Sequence, residues 1–322
     1  MTIPARGHFC WLGTRLPWAY VFAVLSAAEN SGLHEITLHH TDELEADAGL
    51  RALELCPRVR VTRIDPIASL AAAGDALGIG DRLVAIYRAV EAPAIRTDVL
   101  RAAILYREGG VYLDLDTVTT ASLLPLLDTP QFVGCERLVW PYFARTSRSP
   151  ALWCRTLSLD LLRKLMRRLP GGWRMFRYVE RLCYVSINNA VMGAQAGSGL
   201  CAAYLRAMAS MAPKRWSEPY ALGPDLLQEL SGGFPQSELT VMEPRVFYPL
   251  PPQISEHWFR IGRRVRLEAV LYPQTRVVHW YASVRTAAKV AAIDPGYVRA
   301  HRQQQLYSAL VCSFIRKLPA AA

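Results

Sequence analysis

Short segments rich in apolar and β-branched residues alternate with longer segments of helical periodicity through the first half of this chain. Such alternation is typical of parallel strands joined by crossover helices, so it predicts an α/β fold. The predicted strands are His8–Leu12, Glu35–His39, Val59–Ile64 and Val111–Asp116. The predicted helices between them are Pro17–Asn30, Asp42–Leu53 with Thr41 as its cap, and Pro93–Arg107.

The alternation is less regular in the second half of the chain. The further elements predicted there are strands Gln131–Glu136, Thr240–Glu243 and Thr275–Trp280 and helices Ala151–Leu169, Gly199–Met211, Pro224–Leu230 and Gly296–Ile315. No run rich in Pro, Gly and Ser is long enough to act as a linker. We therefore expect one domain over residues 1–290, and residues 291–322 to form a C-terminal helix that packs on it.

The composition is that of an ordered globular protein, with 52% hydrophobic and 20% charged residues among 322. The formal net charge of +10 favours anionic partners. Seven cysteines without a CxxC spacing argue against a disulfide framework and a structural zinc site, and they indicate a reducing environment. The sequence has neither the layout of a signal peptide nor an apolar run that reads as a membrane span, so we expect a cytoplasmic protein.

The surplus of basic residues is concentrated between Ala151 and Tyr184, a segment with eight basic and two acidic residues. The helix predicted over 151–169 has a broad apolar face. The basic residues predicted opposite that face are Arg163, Lys164, Arg167 and Arg168. Two interpretations are open: an amphipathic insertion (151–184) that binds the anionic inner face of a membrane, or a helix packed on the core with a solvated basic face.

The strand Val111–Asp116 carries two carboxylates. Alternate side chains of a strand share a face, so Tyr112, Asp114 and Asp116 are predicted to point the same way. At ~3.3 Å per residue the Cα atoms of the two aspartates would lie about 7 Å apart. Oxygen ligands of this kind favour Mg²⁺ or Mn²⁺ over zinc, so Asp114 and Asp116 are the predicted metal ligands.

The preceding helix adds a polar pair. Asp98 and Arg101 are three residues apart, and Leu105 lies on nearly the same face and is expected to point inward. A tight turn at Gly109 and Gly110 would then bring this pair beside the two aspartates. Four charged groups next to apolar strand residues are costly without a ligand or a metal, so the cluster predicts a functional site.

Together these residues form a string that resembles the sugar-binding DXD region of a family of nucleotide-sugar glycosyltransferases. The string consists of Asp98, Arg101, Leu105, Gly109, Gly110, Tyr112, Asp114 and Asp116. The family includes α-1,6-mannosyl- and α-1,4-galactosyltransferases, bacterial capsule and lipopolysaccharide enzymes and, distantly, glucosylating bacterial toxins. Weaker similarities follow in the family's order at 3–17, 188–194, 223–225 and 278–284, where Val278 and Val284 depart from the pattern.

The resemblance implies a GT-A-like fold with a Rossmann-like mixed, mostly parallel central sheet. It also implies a hexosyl transfer from a nucleotide-diphosphate sugar, with UDP-sugar favoured. The acceptor would be a saccharide or a lipid-linked molecule, and the transfer would proceed with retention in surface polysaccharide or lipopolysaccharide synthesis. The implied cofactor is Mn²⁺ or Mg²⁺, and no nucleic acid partner is expected. As catalytic residues, Asp114 would contact the donor ribose or sugar and Asp116 the metal.

The resemblance also assigns the donor-binding residues. They are Trp11, Asp98, Arg101, Tyr112, Asn188, Asn189, His279 and Ser283. His279 would add a metal ligand or a hydrogen bond to the diphosphate. Structural roles remain open for four of them: Trp11 and His279 as core residues, and Asp98 with Arg101 as a helical ion pair.

Two other functions remain open. The segment Val111–Val118 also fits the strand of a haloacid-dehalogenase-like phosphatase, in which Asp114 would be the nucleophile and Asp116 the second aspartate. No adjacent acidic pair follows it in the sequence, although that class of phosphatase needs one. The positive charge alone is compatible with a non-enzymatic polyanion-binding protein.

Overall fold

The computed structural model describes residues 2–262, 264–282 and 286–319. Its strands, numbered along the chain, are β1 (Arg6–Trp11), β2 (Glu35–His40), β3 (Val59–Arg63), β4 (Gly110–Leu113), β5 (Thr117–Thr119), β6 (Gln131–Leu138), β7 (Tyr184–Ala194), β8 (Thr240–Met242) and β9 (Val277–His279). The first helices are α1 (Trp18–Asn30), α2 (Ala48–Glu54), α3 (Pro66–Leu77), α4 (Arg82–Ala89), α5 (Pro93–Glu108), α6 (Tyr142–Thr146) and α7 (Pro150–Arg168). The later helices are α8 (Gly172–Val179), α9 (Gly199–Ser210), α10 (Pro224–Ser231), α11 (Pro244–Phe247), α12 (Ala287–Val290), α13 (Pro295–His301) and α14 (Leu306–Phe314).

The central sheet has seven strands in the order β3-β2-β1-β4-β7-β6-β8. The pairs β1–β2, β2–β3, β1–β4 and β6–β8 are parallel, whereas β7 runs antiparallel to both β4 and β6. A separate antiparallel pair joins β5 to β9. The α/β class and the mixed, mostly parallel sheet predicted from the sequence are thus confirmed.

Helices cover both faces of the sheet. Val111 and Leu113 of β4 join a core cluster with α1 and α14, while Tyr112 between them joins a second cluster with α3, α4, α5, α9 and α10. Since alternate residues of one strand belong to different clusters, the two clusters lie on opposite faces of the sheet. Burial of such apolar clusters contributes most of the driving force for folding.

Helix α5 and strand β4 are joined by the predicted glycine turn. Pro93 occupies the first turn of α5, and Gly109, at φ +65°, ends it. Gly110 has φ +106°, and a Cβ there would lie 2.8 Å from the carbonyl oxygen of Arg6. Only glycine fits this conformation and this close approach of β4 to β1.

Strand β4 is shorter than predicted. It ends at Leu113, and Leu115 and Asp116 form a turn before β5. The amide of Asp114 still donates to Ala190 O (2.8 Å), but the Thr117 hydroxyl donates to Asp114 O (2.7 Å) and closes the turn. The prediction that alternation along one strand sets the directions of Asp114 and Asp116 is therefore wrong.

Two predicted helices also differ. The helix predicted from Asp42 begins at Ala48, because the Asp47 side chain accepts from the amide of Leu50 and caps it, while Asp42 accepts from the amide of Gly13. The terminal helix is divided into α13 and α14. Gln305, buried between them, donates to the carbonyl of Phe259 and so holds the break in place. Helices α3, α4 and α8 had no counterpart in the prediction.

The helices α6, α7 and α8 form the basic elaboration predicted between β6 and β7. The prediction that Arg163 and Arg167 join Lys164 and Arg168 on one exposed basic face is wrong. Arg163 pairs with Asp160 at 2.5 Å and Arg167 with Glu256 at 3.5 Å, so both turn toward the protein, whereas Lys164 and Arg168 are exposed.

We expect Gly110→Ala to lower the free energy of unfolding by about 2–4 kcal/mol, because the new Cβ meets backbone and the φ angle disfavours a side chain. Gly197→Ala is the matched control, since Gly197 also has positive φ but no atom lies within 4 Å of its Cβ position. It should cost only about 1–2 kcal/mol. Urea unfolding of both variants makes the comparison, and equal losses would contradict the steric argument.

Candidate active site

The candidate site lies where the order of the strands reverses. From β1 the chain proceeds outward to β2 and β3, and it then returns to place β4 on the other side of β1. Crossover helices consequently diverge at this point and leave a crevice at the carboxyl ends of β1 and β4. Asp114 follows β4 directly and therefore lies at this crevice.

Arg101 of α5 holds the centre of the site together. Its guanidinium binds both oxygens of Asp114, at 3.0 and 3.3 Å, and one oxygen of Asp98 at 3.2 Å. It also donates to the backbone carbonyl of Asn189 on β7 and lies 4.7 Å from the ring centroid of Tyr112. The side chain is only 5% exposed, so the ion pairs lie in a low-dielectric environment that strengthens them. The predicted inward anchor Leu105 is fully buried.

Asn189 connects α5 to β7. Its amide nitrogen donates to Asp98 Oδ1 at 2.7 Å, and it lies 3.4 Å from the Tyr204 hydroxyl. Tyr204 in turn donates to the backbone carbonyl of Leu222. A Cβ on Gly223 would lie 2.6 Å from Asp98 Oδ2, so the predicted turn at 223–225 needs glycine for this close approach.

Asp116 is held by the second sheet. Its Oδ1 lies 2.9 Å from Nε2 of His279, and its Oδ2 accepts from the amide of Ala282 at 2.7 Å. The pairing of β5 with β9 sets this contact, since Thr117 is opposite His279 in the register. The structure thus brings His279 to the two aspartates, as predicted, although 163 residues separate it from Asp116.

Burial and charge act in opposite directions on these groups. Burial raises the pKa of Asp114 to about 6, although Arg101 opposes the shift. Burial alone would also raise the pKa of Asp116, but His279 and the hydrogen bonds outweigh it, and the pKa is lowered. The pKa of His279 is raised because Asp116 outweighs the effect of burial. These shifts favour the carboxylate form of Asp116 and the imidazolium form of His279, as expected of two groups that attract each other.

Sequence reasoning missed Glu136 of β6, which lines the same cavity. Its carboxylate accepts from the side-chain amide of Asn188 and the hydroxyl of Tyr281, both at 2.7 Å. The hydroxyl of Tyr248 donates to the Asn188 carbonyl oxygen at 3.1 Å. A carboxylate directly after the uncharged run 132–135 of a buried strand was the available signal for this buried network.

A break in the sheet register helps to direct both asparagines into the cavity. Along β6 and β7, Val133 pairs with Met192 but Gly134 pairs with Asn188. A shift of this kind is a β-bulge, which bends the strand and redirects its side chains. Both asparagines line the cavity, where Asn189 binds Asp98 and Asn188 binds Glu136.

These groups surround a cavity of about 430 Å³, a volume typical of small-ligand sites. Its charged and amide lining residues include Asp98, Arg101, Asp114, Asp116, Glu136, Asn188, Asn189, Asp225 and His279. Of the other predicted donor-binding residues, Trp11 packs against Tyr20, with ring centroids 5.1 Å apart, and Tyr112 lies in the core. Neither is part of the cavity wall that the described residues form, and Ser283 lies outside the described residues.

Asp114, Asp116 and His279 each offer one ligand atom, and these atoms all lie within 4.8 Å of one another. Two carboxylates and an imidazole fit a divalent cation of the first transition row. Nδ1 of His279 is buried without a hydrogen-bond partner among the described residues, so the ring is not fixed by a second hydrogen bond. The residues present therefore fit the predicted metal.

Comparison with known proteins identifies the class of this region. Residues 67–133 match the family model described as a glycosyltransferase sugar-binding region containing the DXD motif. Among curated proteins, no sequence matches significantly. Over residues 67–133 the chain is thus similar to the DXD-bearing sugar-binding region of these glycosyltransferases, and the resemblance predicted from the sequence is confirmed there.

Several solved glycosyltransferases show distant structural similarity. Mouse xyloside xylosyltransferase 1 has 14% identity and a TM-score of 0.43, covering 85% of this chain and 97% of its own. The galactosyltransferase LgtC, solved with donor and acceptor sugar analogues, has 15% identity and a TM-score of 0.39, with 92% and 99% coverage. The PaToxG glycosyltransferase has 15% identity and a TM-score of 0.41, with 73% and 71% coverage.

We expect Arg101→Gln to lower the free energy of unfolding at neutral pH by about 3–5 kcal/mol, because two buried carboxylates lose their cation. Arg96→Gln on the same helix is the control, since Arg96 donates to the carbonyl of Val90. It should cost about 1 kcal/mol. The two variants are compared by denaturant unfolding, and similar losses would show that the charge pairing contributes little.

We expect Glu136→Gln to stabilise the protein at neutral pH and to have little effect near pH 4. Burial raises the pKa of Glu136 in the folded state, although its two hydrogen bonds oppose the shift. The folded state therefore binds the proton more tightly, and the wild type loses stability as pH rises from the unfolded pKa through the folded one. Unfolding measured from pH 4 to 8 tests this, with exposed Glu54→Gln as control. A constant difference across that range would contradict it.

Proposed function

We propose that this protein is a metal-dependent, GT-A-like glycosyltransferase. It transfers a hexose from a nucleotide-diphosphate sugar, with UDP-sugar favoured, to a saccharide or lipid-linked acceptor. The observation that carries the proposal is the convergence of Asp114, Asp116 and His279 beside Arg101 in one cavity, within a chain that resembles the DXD region over residues 67–133. The reactions named for the similar structures concern those proteins and supply no detail of this one.

Asp114, Asp116 and His279 would hold the divalent cation, and Mn²⁺ suits this set best because it accepts both carboxylate and imidazole ligands. The cation would supply positive charge to the departing diphosphate. The amide of Ala282 orients the Asp116 carboxylate through a 2.7 Å hydrogen bond. Pre-oriented ligands of this kind reduce the reorganisation needed when the donor binds.

Asp98, Asn189 and Arg101 form the wall proposed to bind the donor sugar. Because the guanidinium of Arg101 is already engaged by Asp98 and Asp114, its main role is to fix the positions of these carboxylates. Asp98 and the asparagines then present hydrogen-bonding groups to the hexose hydroxyls. Such fixed groups favour transfer by holding the anomeric carbon in one orientation.

Aromatic rings border the remainder of the cavity and support a saccharide acceptor. Trp140, Tyr142 and Tyr220 line it, and the two tyrosines are 43% and 55% exposed. Rings of this kind offer an apolar face and, in tyrosine, a polar hydroxyl, which suits the mixed surface of a sugar. Tyr220 also has a positive φ of 68°, a backbone conformation that is strained for a residue with a side chain.

Three further features complete the proposal. They are retention of anomeric configuration, a cytoplasmic location at the inner face of the membrane, and a role in surface polysaccharide or lipopolysaccharide synthesis. Retention and the polysaccharide role are supported by the family resemblance, and the location is supported by the cysteine usage and the basic segment 151–184. The donor contacts assigned to Trp11, Tyr112 and Ser283 stay predictions on the basis of the resemblance.

The phosphatase alternative receives less support from the geometry. A nucleophilic aspartate needs an oxygen free to attack phosphorus. Both oxygens of Asp114 are paired with Arg101, and the carboxylate is fixed in that orientation. This arrangement suits a carboxylate that positions a ligand.

The proposal is tested by thermal unfolding with UDP-hexoses, GDP-hexoses and Mn²⁺, separately and together. A donor and Mn²⁺ together should stabilise the protein more than either alone, by about 2.7 kcal/mol at a hundredfold excess over Kd. Asp116→Asn should abolish this joint effect and lower metal-dependent donor hydrolysis by at least about 100-fold.

Asp75→Asn, a substitution at an exposed position of α3, serves as the control and should retain both properties. Stabilisation by Mn²⁺ and a donor that is the same in the Asp116 variant as in the wild type would overturn the proposed role of the metal. A protein that no nucleotide sugar stabilises would overturn the proposed function itself.

A further inference from the structure

Helix α7 exposes a row of large apolar side chains. Leu157, Leu161 and Leu165 follow one another at intervals of four residues and are 52%, 72% and 56% exposed. Residues at this spacing lie on one face of a helix. Trp153 and Leu169 extend the row at either end, each 38% exposed. Contiguous exposed apolar side chains of this kind mark an interaction surface.

Basic residues lie on the same face. Lys164 and Arg168 are exposed, and each lies three residues after a leucine of the row. At 100° per residue, Arg168 lies between the directions of Leu157 and Leu165 around the helix axis, and Lys164 lies within about 20° of Leu157. We call Leu157, Leu161, Lys164, Leu165 and Arg168 the leucine face.

The exposed charged side chains of the segment that carries the leucine face have one sign of charge. The exposed charged residues of 150–185 are Arg155, Lys164, Arg168, Arg174 and Arg181, all of them basic. The two acidic residues of the segment are not exposed: Asp160 is buried and paired with Arg163 and Lys164, and Glu180 is half-buried. The segment also exposes Met175, Tyr178, Leu182 and Val185.

We propose that the leucine face docks on a bilayer that contains anionic lipid. Leucine side chains enter the boundary between headgroups and acyl chains, while long basic side chains reach the phosphate level, so mixed apolar and basic faces suit this interface. The uniform positive charge complements anionic headgroups. No helix of the described residues is long and apolar enough to cross a bilayer, and docking needs none.

The opposite side of α7 faces the cavity. Arg163, on that side of α7, lines the cavity. Trp140, before α7, also lines it and packs edge-on against Trp153 near the start of the helix, with 5.2 Å between ring centroids. The docked helix therefore lies between the bilayer and the cavity. If the proposed function is correct, this placement brings the site near a lipid-linked acceptor. The docking itself does not depend on that function.

The proposal is tested by flotation with two kinds of vesicle. One is pure phosphatidylcholine, and the other also contains about 30% of the anionic lipid phosphatidylglycerol. The wild type should float with the anionic vesicles only. L157Q/L161Q/L165Q should lower its partition coefficient by on the order of 100-fold. K164Q/R168Q should lower it by about tenfold, and added salt should weaken binding of the wild type.

Matched controls separate the leucine face from general effects. L55Q replaces a leucine that is 82% exposed on another helix boundary, and R51Q/R88Q removes two exposed arginines elsewhere. Both should float like the wild type. Unfolding of the triple leucine variant checks that it is folded, and because the replaced leucines are exposed we expect the midpoint to change little.

A wild type that does not float with anionic vesicles would overturn the proposal, and so would flotation that the triple variant retains. Sedimentation without lipid distinguishes a second copy as the occupant. A wild-type dimer that the triple variant converts to a monomer, without lipid-dependent flotation, would assign the face to self-association and overturn membrane docking. Donor stabilisation measured on the same variants reports the proposed function separately, since it needs no lipid.

Discussion

The site depends on a single buried cation. Arg101 binds Asp98 from its own helix, Asp114 after β4 and the carbonyl of Asn189 on β7, so it joins three elements that meet at the crevice. Without it, two carboxylates would be buried beside each other with no compensating charge, which a fold of marginal stability does not tolerate. With it, the same carboxylates stay fixed and ready to bind polar ligands. Structural stability and the proposed ligand binding thus rest on the same ion pairs.

Local sequence patterns predicted the parts of the fold that local interactions determine. Apolar periodicity predicted the fold class, the first strands and helix α5. Glycine's access to positive φ predicted the turn at Gly109 and Gly110. The structure confirms these predictions. The boundaries set by side-chain contacts from distant segments were wrong. Asp47 rather than Thr41 caps α2, Gln305 divides the terminal helix, and the turn at Thr117 ends β4 before the aspartates.

The candidate site was predictable to the same extent. Asp98, Arg101, Asp114 and Asp116 lie within one short segment, so spacing alone places them together, and the resemblance added His279 from a distant strand. Glu136 was not found because its partners, Asn188 and Tyr281, come from β7 and from the chain after β9, and no local pattern connects them. The divided roles of Asn188 and Asn189 follow from a bulge that depends on the pairing of two whole strands.

The short pairing of β5 with β9 has a consequence for the order in which the residues of the site are synthesised. His279 follows Asp116 by 163 residues, so translation supplies the two aspartates well before the histidine that contacts them. A nascent polypeptide can therefore contain β1 to β4 before His279, the third residue of the proposed cation site, has been added. Under the proposed function, a chain interrupted between β4 and β9 would therefore hold the two aspartates of the cation site without its histidine.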